Sequence, residues 1–422
     1  MTELEKLFAE KQTENGDISY NTTGNHLLDL LFMTSYYEKH LKEVNIGDSE
    51  KEKLFAMFIR DGRFGIGRRD LGRILMYLSG VSAKNIVKAG RFDDLLFSNI
   101  VEHFDYLISE CKKGNELAKK WMPRLNSKNR NIALYLCEKY NLTEKQYRKL
   151  IKCDTTENKL SRHRTNEIEF DKVPSLAMIK YYSRFARGED TKERFEKYIE
   201  SVKKGEKKLN ISTTNVYDIY KNRKVIDADL FFDKLEKIKI SCIPILDTSG
   251  SMNDYNDSIG KANSIAHYLA KCSTYANSQV ISFSSYPQLM TIRGKNYDEE
   301  IRSMYTGDCS NTDFGKVMEI LKGLKEFPEY LVVLSDMEFD YGSRQSKLEL
   351  QRIWKENNCT TKIVWWNFND RNKTVPETDE FGNIYISGYS PMLLKYLESG
   401  FNGEKFLDKL LQEYYNKIKD FK

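Results

Sequence analysis

Asp247, Ser249 and Ser251 occupy alternate positions in IPILDTSGSM, Ile243 to Met252, directly after a short apolar run. A loop leaving a strand there can turn all three oxygens toward one point, and Gly250 lets the backbone bend tightly. Such a point suits a hard cation. Mg²⁺ takes octahedral oxygen ligands and keeps some water, so hydroxyls with one or two carboxylates fit it better than they fit zinc. Mn²⁺ or Ca²⁺ would draw on the same donors. Two later segments supply the remainder: TGDCSNTDFGKVM puts Thr312 just ahead of a helical stretch, and LVVLSDMEFD puts Asp336 at the end of another apolar run. A plainer role is open to DTSGSM alone, which could simply cap the helix that follows it.

Meeting at one point requires strand ends that lie side by side. From Lys237 onward the rhythm is strand, helix, strand. ISCIPIL, QVISFS, YLVVLSD, KIVWWNF and NIYIS are short and rich in β-branched or aromatic residues. IGKANSIAHYLAKCSTYA, FGKVMEILKGL, KLELQRIWKEN and GEKFLDKLLQEYYNKI carry helical periodicity between and after them. This pattern predicts a mostly parallel, doubly wound (Rossmann-like) α/β sheet covered on both faces, with ligands bound beyond the carboxyl ends of its strands. From about Asn25 to Lys204 the periodicity is helical, broken at short polar or glycine-bearing joints, which predicts antiparallel helices stacked as an irregular, HEAT-like helical repeat. The expected organisation is multi-domain: an all-α domain over 1–235 and an α/β domain over 236–422.

With 422 residues, 40% of them hydrophobic, the chain can fill two packed cores. A formal charge of +5 permits contact with phosphates without announcing it. Seven cysteines, Cys111, Cys137, Cys153, Cys242, Cys272, Cys309 and Cys359, form no C-x-x-C pair and read as reduced thiols. The opening MTELEKLFAEKQ lacks an apolar signal core, and no uncharged run is long enough to span a bilayer. A cytoplasmic protein without a membrane partner is expected.

The D-x-S-x-S pattern with a later threonine and a later aspartate resembles the metal-ion-dependent adhesion site of von Willebrand factor A domains. The resemblance falls on Asp247, Ser249, Ser251, Thr312 and Asp336. It implies that the serine hydroxyls touch the metal, that the threonine does so directly or through water, and that the aspartates often act through water. The sixth position would be left for a carboxylate of an acidic partner. With few anionic ligands in contact, the cation keeps much of its charge and attracts such a group.

A second resemblance covers the amino-terminal half. NTTGNHLLDLLF, FIRDGRFGIGRRDLGRILMYL, WMPRLNSKNR, FDKVPSLAMIKYYSRF and YIESVKKGEKKLN look like a viral, fungal and plant family of unknown function related to the TROVE module of the Ro autoantigen. That module joins a ring of helical repeats to a von Willebrand A domain, and it implies binding of structured or misfolded small RNA in a ribonucleoprotein. Candidate phosphate contacts are Lys119, Lys120, Arg124, Lys128 and Arg130, and a further group of Arg162, His163 and Arg164 with Lys159. Another basic group is Arg60, Arg63, Arg68, Arg69 and Arg73, while Trp121, Tyr181 and Tyr182 could stack on bases. The same charges also read as the solvated faces of helices, interleaved with Glu189, Asp190 and Glu193, and the aromatic residues as core.

Gly62, Gly65 and Gly67 in GRFGIGRRD follow a helical run, not a strand, so they read as turn residues and not as a nucleotide loop. Trp365 and Trp366 are expected on opposite faces of the sheet, and His267 as a packing or surface residue of its helix. The resulting expectation is a non-catalytic RNA-binding scaffold with a Mg²⁺ site for an acidic ligand. Its rivals are a protein-only adaptor gripping an acidic partner through the metal, and a Mg²⁺-dependent phosphoester hydrolase. Against the hydrolase, no second carboxylate stands beside the first as acid or base.

Overall fold

The computed structural model describes residues 10–12, 18–20, 25–62, 64–97, 101–153, 156–211, 214–255, 257–275, 278–305, 307, 314–324, 326–336, 352, 360–368, 377–378, 384–387, 394, 397 and 403–419. The chain forms two compact units. A sheet unit comprises Met1–His40 and Thr214–Asp408, and a helical unit comprises Leu41–Thr213 and Lys409–Lys422.

In the sheet unit, β1 (Glu10–Gln12) and β2 (Ile18–Tyr20) form a small antiparallel pair. The main sheet contains β3 (Cys242–Asp247), β4 (Gln279–Phe283), β5 (Leu289–Thr291), β6 (Tyr330–Ser335), β7 (Lys362–Asn367), β8 (Glu377–Thr378) and β9 (Ile384–Ser387). Its order is β5-β4-β3-β6-β7-β9-β8. The inner strands β4, β3, β6, β7 and β9 run parallel, whereas β5 and β8 pair antiparallel at the two edges. The sheet is therefore mixed at its margins.

The inner strands are apolar on both sides because both faces are covered. Ile243, Ile245, Ile281, Phe283, Leu331, Val333, Ile363 and Trp365 form one face and pack against Val317 and Leu321 of the Phe314–Lys322 helix. Trp366 is also fully buried, one residue on and so on the other face, as strand alternation requires. Gly403–Lys419 is the last described helix, while most of KLELQRIWKEN lies outside the described residues.

The helical unit starts from the helices Glu50–Arg60 and Arg69–Leu78. Ser49 and Glu52 cap the first of them reciprocally, each side chain bonding the other's backbone N–H. The turn between the helices needs its glycines: a Cβ on Gly65 would lie 1.9 Å from the Phe58 carbonyl oxygen, and Gly67 has φ +79°. Further on, Phe170, Phe185 and Phe195 meet as tilted or edge-on rings 5.0–5.5 Å apart between the helices Ser175–Arg187 and Lys192–Lys203. The chain thus builds a predominantly helical amino-terminal region and a mixed α/β sheet unit; the strands β1 and β2 depart from the all-α expectation for residues 1–235. Among the described residues, no helix is long and apolar enough to cross a membrane.

Candidate metal centre and basic surfaces

Asp247 ends β3, opposite Phe283 of β4, and is fully buried. Its two oxygens are held from two sides: Oδ1 accepts the Ser249 N–H at 2.9 Å, and Oδ2 accepts the Ser335 hydroxyl of β6 at 2.5 Å. Thr248 N–H donates to the Phe283 carbonyl at 3.1 Å, tying the departing loop to β4. A short 3₁₀ turn, Gly250–Met252, follows, with Met252 buried as its anchor. The turn brings the Ser249 and Ser251 hydroxyl oxygens within 3.1 Å of each other, Ser249 buried and Ser251 exposed. Asp336 is the first residue after β6, and it too is buried.

The electrostatics of this cluster are lopsided. Burial pushes the Asp247 carboxyl up to about 6; hydrogen bonds from Ser249 and Ser335 pull it down, and the Asp336 charge pushes it further up. Among the described residues, none of the groups acting on Asp247 is a cation. A buried carboxylate without a positive partner is costly. A divalent ion would relieve that cost, and the surrounding hydroxyl and carboxylate oxygens are the donors such an ion takes. The residues present therefore fit a hard cation. Thr312 lies outside the described residues. Among those described, no group of three or more His, Cys, Asp or Glu could hold a metal, so the donor set here depends on serine.

Helix capping is carried by other residues. Asp254 accepts from the Ser258 N–H and hydroxyl at 2.9 and 3.0 Å, and Asp257 caps the Ser258–Cys272 helix by accepting the Gly260 N–H. Asp247 is not needed for that task. Ser335 was missed by the sequence reading; its signal is a polar residue closing an otherwise apolar strand, YLVVLS.

The basic groups divide. Arg60 Nη2 lies 2.8 Å from Asp94, Arg69 lies 2.7 Å from Asp93, and Arg73 binds both acids. Arg60 and Asp94 are both buried, so Arg60 and Arg73 serve an internal ion-pair network, while the Arg69 side chain stays 52% exposed; Arg63 lies outside the described residues. Arg124 donates to the carbonyls of Ile151 at 2.9 Å and Lys119 at 3.2 Å, clamping the loop. Lys119 pairs with Glu116 at 2.6 Å, Arg164 pairs with Glu167 at 3.2 Å, and Lys120 lies over the Trp121 ring. Lys159 donates to the Glu167 carbonyl. Tyr182 packs edge-on against Phe195, and the Tyr181 ring lies tilted at 6.2 Å from Phe185.

Lys128, Arg130, Arg162 and His163 remain on the surface. His163, at φ +54°, lines a cleft of about 490 Å³ with Ser183, Arg184, Arg187 and Asp190. Arg184 bonds both oxygens of Asp190 there and, with Thr165, holds that carboxyl down at about 2. His267 is fully buried, edge-on to Phe232 and Tyr297, which makes it a packing residue.

Two family models match, each over part of the chain, and both are described as domains of unknown function: DUF7788 over residues 241–419 and DUF2828 over residues 111–231. The uncharacterized protein L728 of Acanthamoeba polyphaga mimivirus is 24% identical over 509 residues, covering 95% of this chain and 87% of that protein. Among solved structures, the chain is similar to the Ro (RSR) protein of Deinococcus radiodurans at 12% identity and a TM-score of 0.45, covering 94% of this chain and 96% of that one.

Proposed function

We propose that this protein is a non-catalytic binding scaffold whose sheet unit holds a divalent cation and offers it to an acidic ligand. Asp247, Ser249, Ser251 and Asp336 would hold the ion, with Thr312 as a further oxygen, in the manner of a von Willebrand A adhesion site. Mg²⁺ is the first expectation, with Mn²⁺ or Ca²⁺ as substitutes. The bound ion would supply positive charge with an open position for a carboxylate. The supporting observation is Asp247: fully buried at a strand end, bonded to a serine amide and a serine hydroxyl, and acted on by no cation among the described residues. Calorimetric titration with Mg²⁺ and Mn²⁺ tests this. Wild type should bind one ion and Asp247→Ala none; no uptake by wild type removes the reading. Phosphate released from generic esters, and lost in Asp247→Ala, would instead favour a hydrolase.

A second reading concerns the helical unit, which we take as a helical-repeat RNA-binding surface of a small ribonucleoprotein. Its support is the set of surface side chains Lys128, Arg130, Arg162 and His163, beside the sequence motifs that resemble the TROVE module. Neutralising Lys128, Arg130 and Arg162 together should weaken binding of a structured small RNA and lower the slope of log K against log salt by about 2 to 3. An unchanged slope, or no binding by wild type at low salt, would favour the protein-only adaptor.

A further inference from the structure

We infer that Ser335 is a positioning residue of the cation site, an inference that rests on the cation reading above. Ser335 is fully buried at the end of β6, in a strand whose other residues are apolar. A buried hydroxyl is unfavourable there unless it is bonded. Its bond goes to Asp247 Oδ2 at 2.5 Å, across 88 residues of sequence. The Ser249 N–H bonds Oδ1 at 2.9 Å and the Ser249 side chain bonds the same carboxyl, so Asp247 is held both from its own loop and from the neighbouring strand. The carboxyl plane is thereby fixed. An ionised carboxylate has about four lone-pair sites, so these bonds leave room for an ion or the water bound to it.

Ser335 also directly precedes Asp336. A single step of β6 therefore orients the first acid and supplies the second. Outer-shell hydrogen bonds of this kind typically change metal affinity by about 10- to 100-fold.

The test is calorimetric titration of the full chain with Mg²⁺ and Mn²⁺, alongside thermal melts in chelator. Ser335→Ala should weaken cation binding about 10-fold or more. Ser335→Thr, which keeps the hydroxyl, should bind within a few-fold of wild type, and Ser335→Cys, a poor donor of similar size, should behave like the alanine variant. If Ser335→Ala and Ser335→Cys bind the cation as wild type does, with only the chelator melting temperature lowered, the hydroxyl is merely structural and the inference fails while the cation reading stands. Should Ser335→Ala not fold, the cysteine and threonine pair decides alone. Wild type that takes up no cation overturns both.

Discussion

Two buried carboxylates in this chain have opposite surroundings. Asp94 is enclosed by Arg60 and Arg73, whereas Asp247 has serine donors and a neighbouring acid. Removing one partner of a buried ion pair strands the other. Asp94→Ala should therefore cost about 3–5 kcal/mol in urea unfolding, because Arg60 is left buried and unpaired. Asp247→Asn should cost little in chelator, since it removes a charge that burial already disfavours. In excess Mg²⁺ only wild type should gain stability, by about 2.7 kcal/mol when the ion stands at 100 times its Kd. A variant stabilised equally by Mg²⁺ would show that the ion binds elsewhere. The same contrast shows how far single residues were legible. Alternating oxygens in DTSGSM pointed to a common target because they share a short loop. The ion pairing of Arg60 and Arg73 was not legible because their acidic partners, Asp93 and Asp94, come twenty or more residues later in the sequence, and spacing along one helix says nothing of what it packs against.

At the scale of elements, the five strands with continuous apolar runs were readable because burial on both faces leaves an unbroken signature. The edge strands β5 and β8, three and two residues long, are too short to show alternation. They add no core and only close the margins, as short edge strands do. Helices were readable from periodicity, but what each helix buries was not. His267 is an example: its ring packs against Phe232 and Tyr297, and Nε2 bonds Glu300 at 2.7 Å, beside Lys271 and with Lys237 near. Burial pushes His267 below its ordinary 6.5, against the pull of Glu300. For Glu300, burial acts upward, yet the bonds from His267 and Lys271 outweigh it and hold the carboxyl at about 2. Both shifts have the same sign for stability. Below pH 6.5 the unfolded chain takes a proton on this histidine that the native state resists, and below about 4.5 it takes one on Glu300, so stability falls on acidification in two stages. His267→Gln keeps a donor for Glu300 and removes the first stage. Urea midpoints measured from pH 7.5 to 5 should fall less steeply in this variant; parallel slopes would mean that His267 does not titrate with unfolding.

Across the whole molecule, the sequence shows a change of rhythm from helices to alternating strands and helices, but it does not show that the chain returns. Residues Lys409–Lys422 belong to the helical unit, far from its remaining residues in sequence. GEKFLDKLLQEYYNKI carries helical periodicity that specifies an apolar face and not its target. The target is the Glu50–Arg60 helix and the residue that follows it: the Tyr414 ring meets Phe58 edge-on at 5.3 Å, and its hydroxyl donates to Asp61 Oδ2 at 3.2 Å. Phe58, Asp61 and Tyr414 are all essentially inaccessible. Ending the chain after Asp408 would uncover Phe58 and leave the Asp61 carboxylate without its tyrosine donor. The apolar loss alone is about 1.5–3 kcal/mol for one large side chain, and the lost tyrosine hydrogen bond adds about 1 kcal/mol. Such a truncation should destabilise the helical unit first, seen as faster amide hydrogen exchange across residues 50–61 while β3 and β6 keep their protection. Tyr414→Phe separates the two contributions, since it retains the ring on Phe58 and removes only the bond to Asp61, so its effect should be the smaller share. Exchange across 50–61 that is unchanged by truncation would mean that the terminal segment covers this helix without stabilising it.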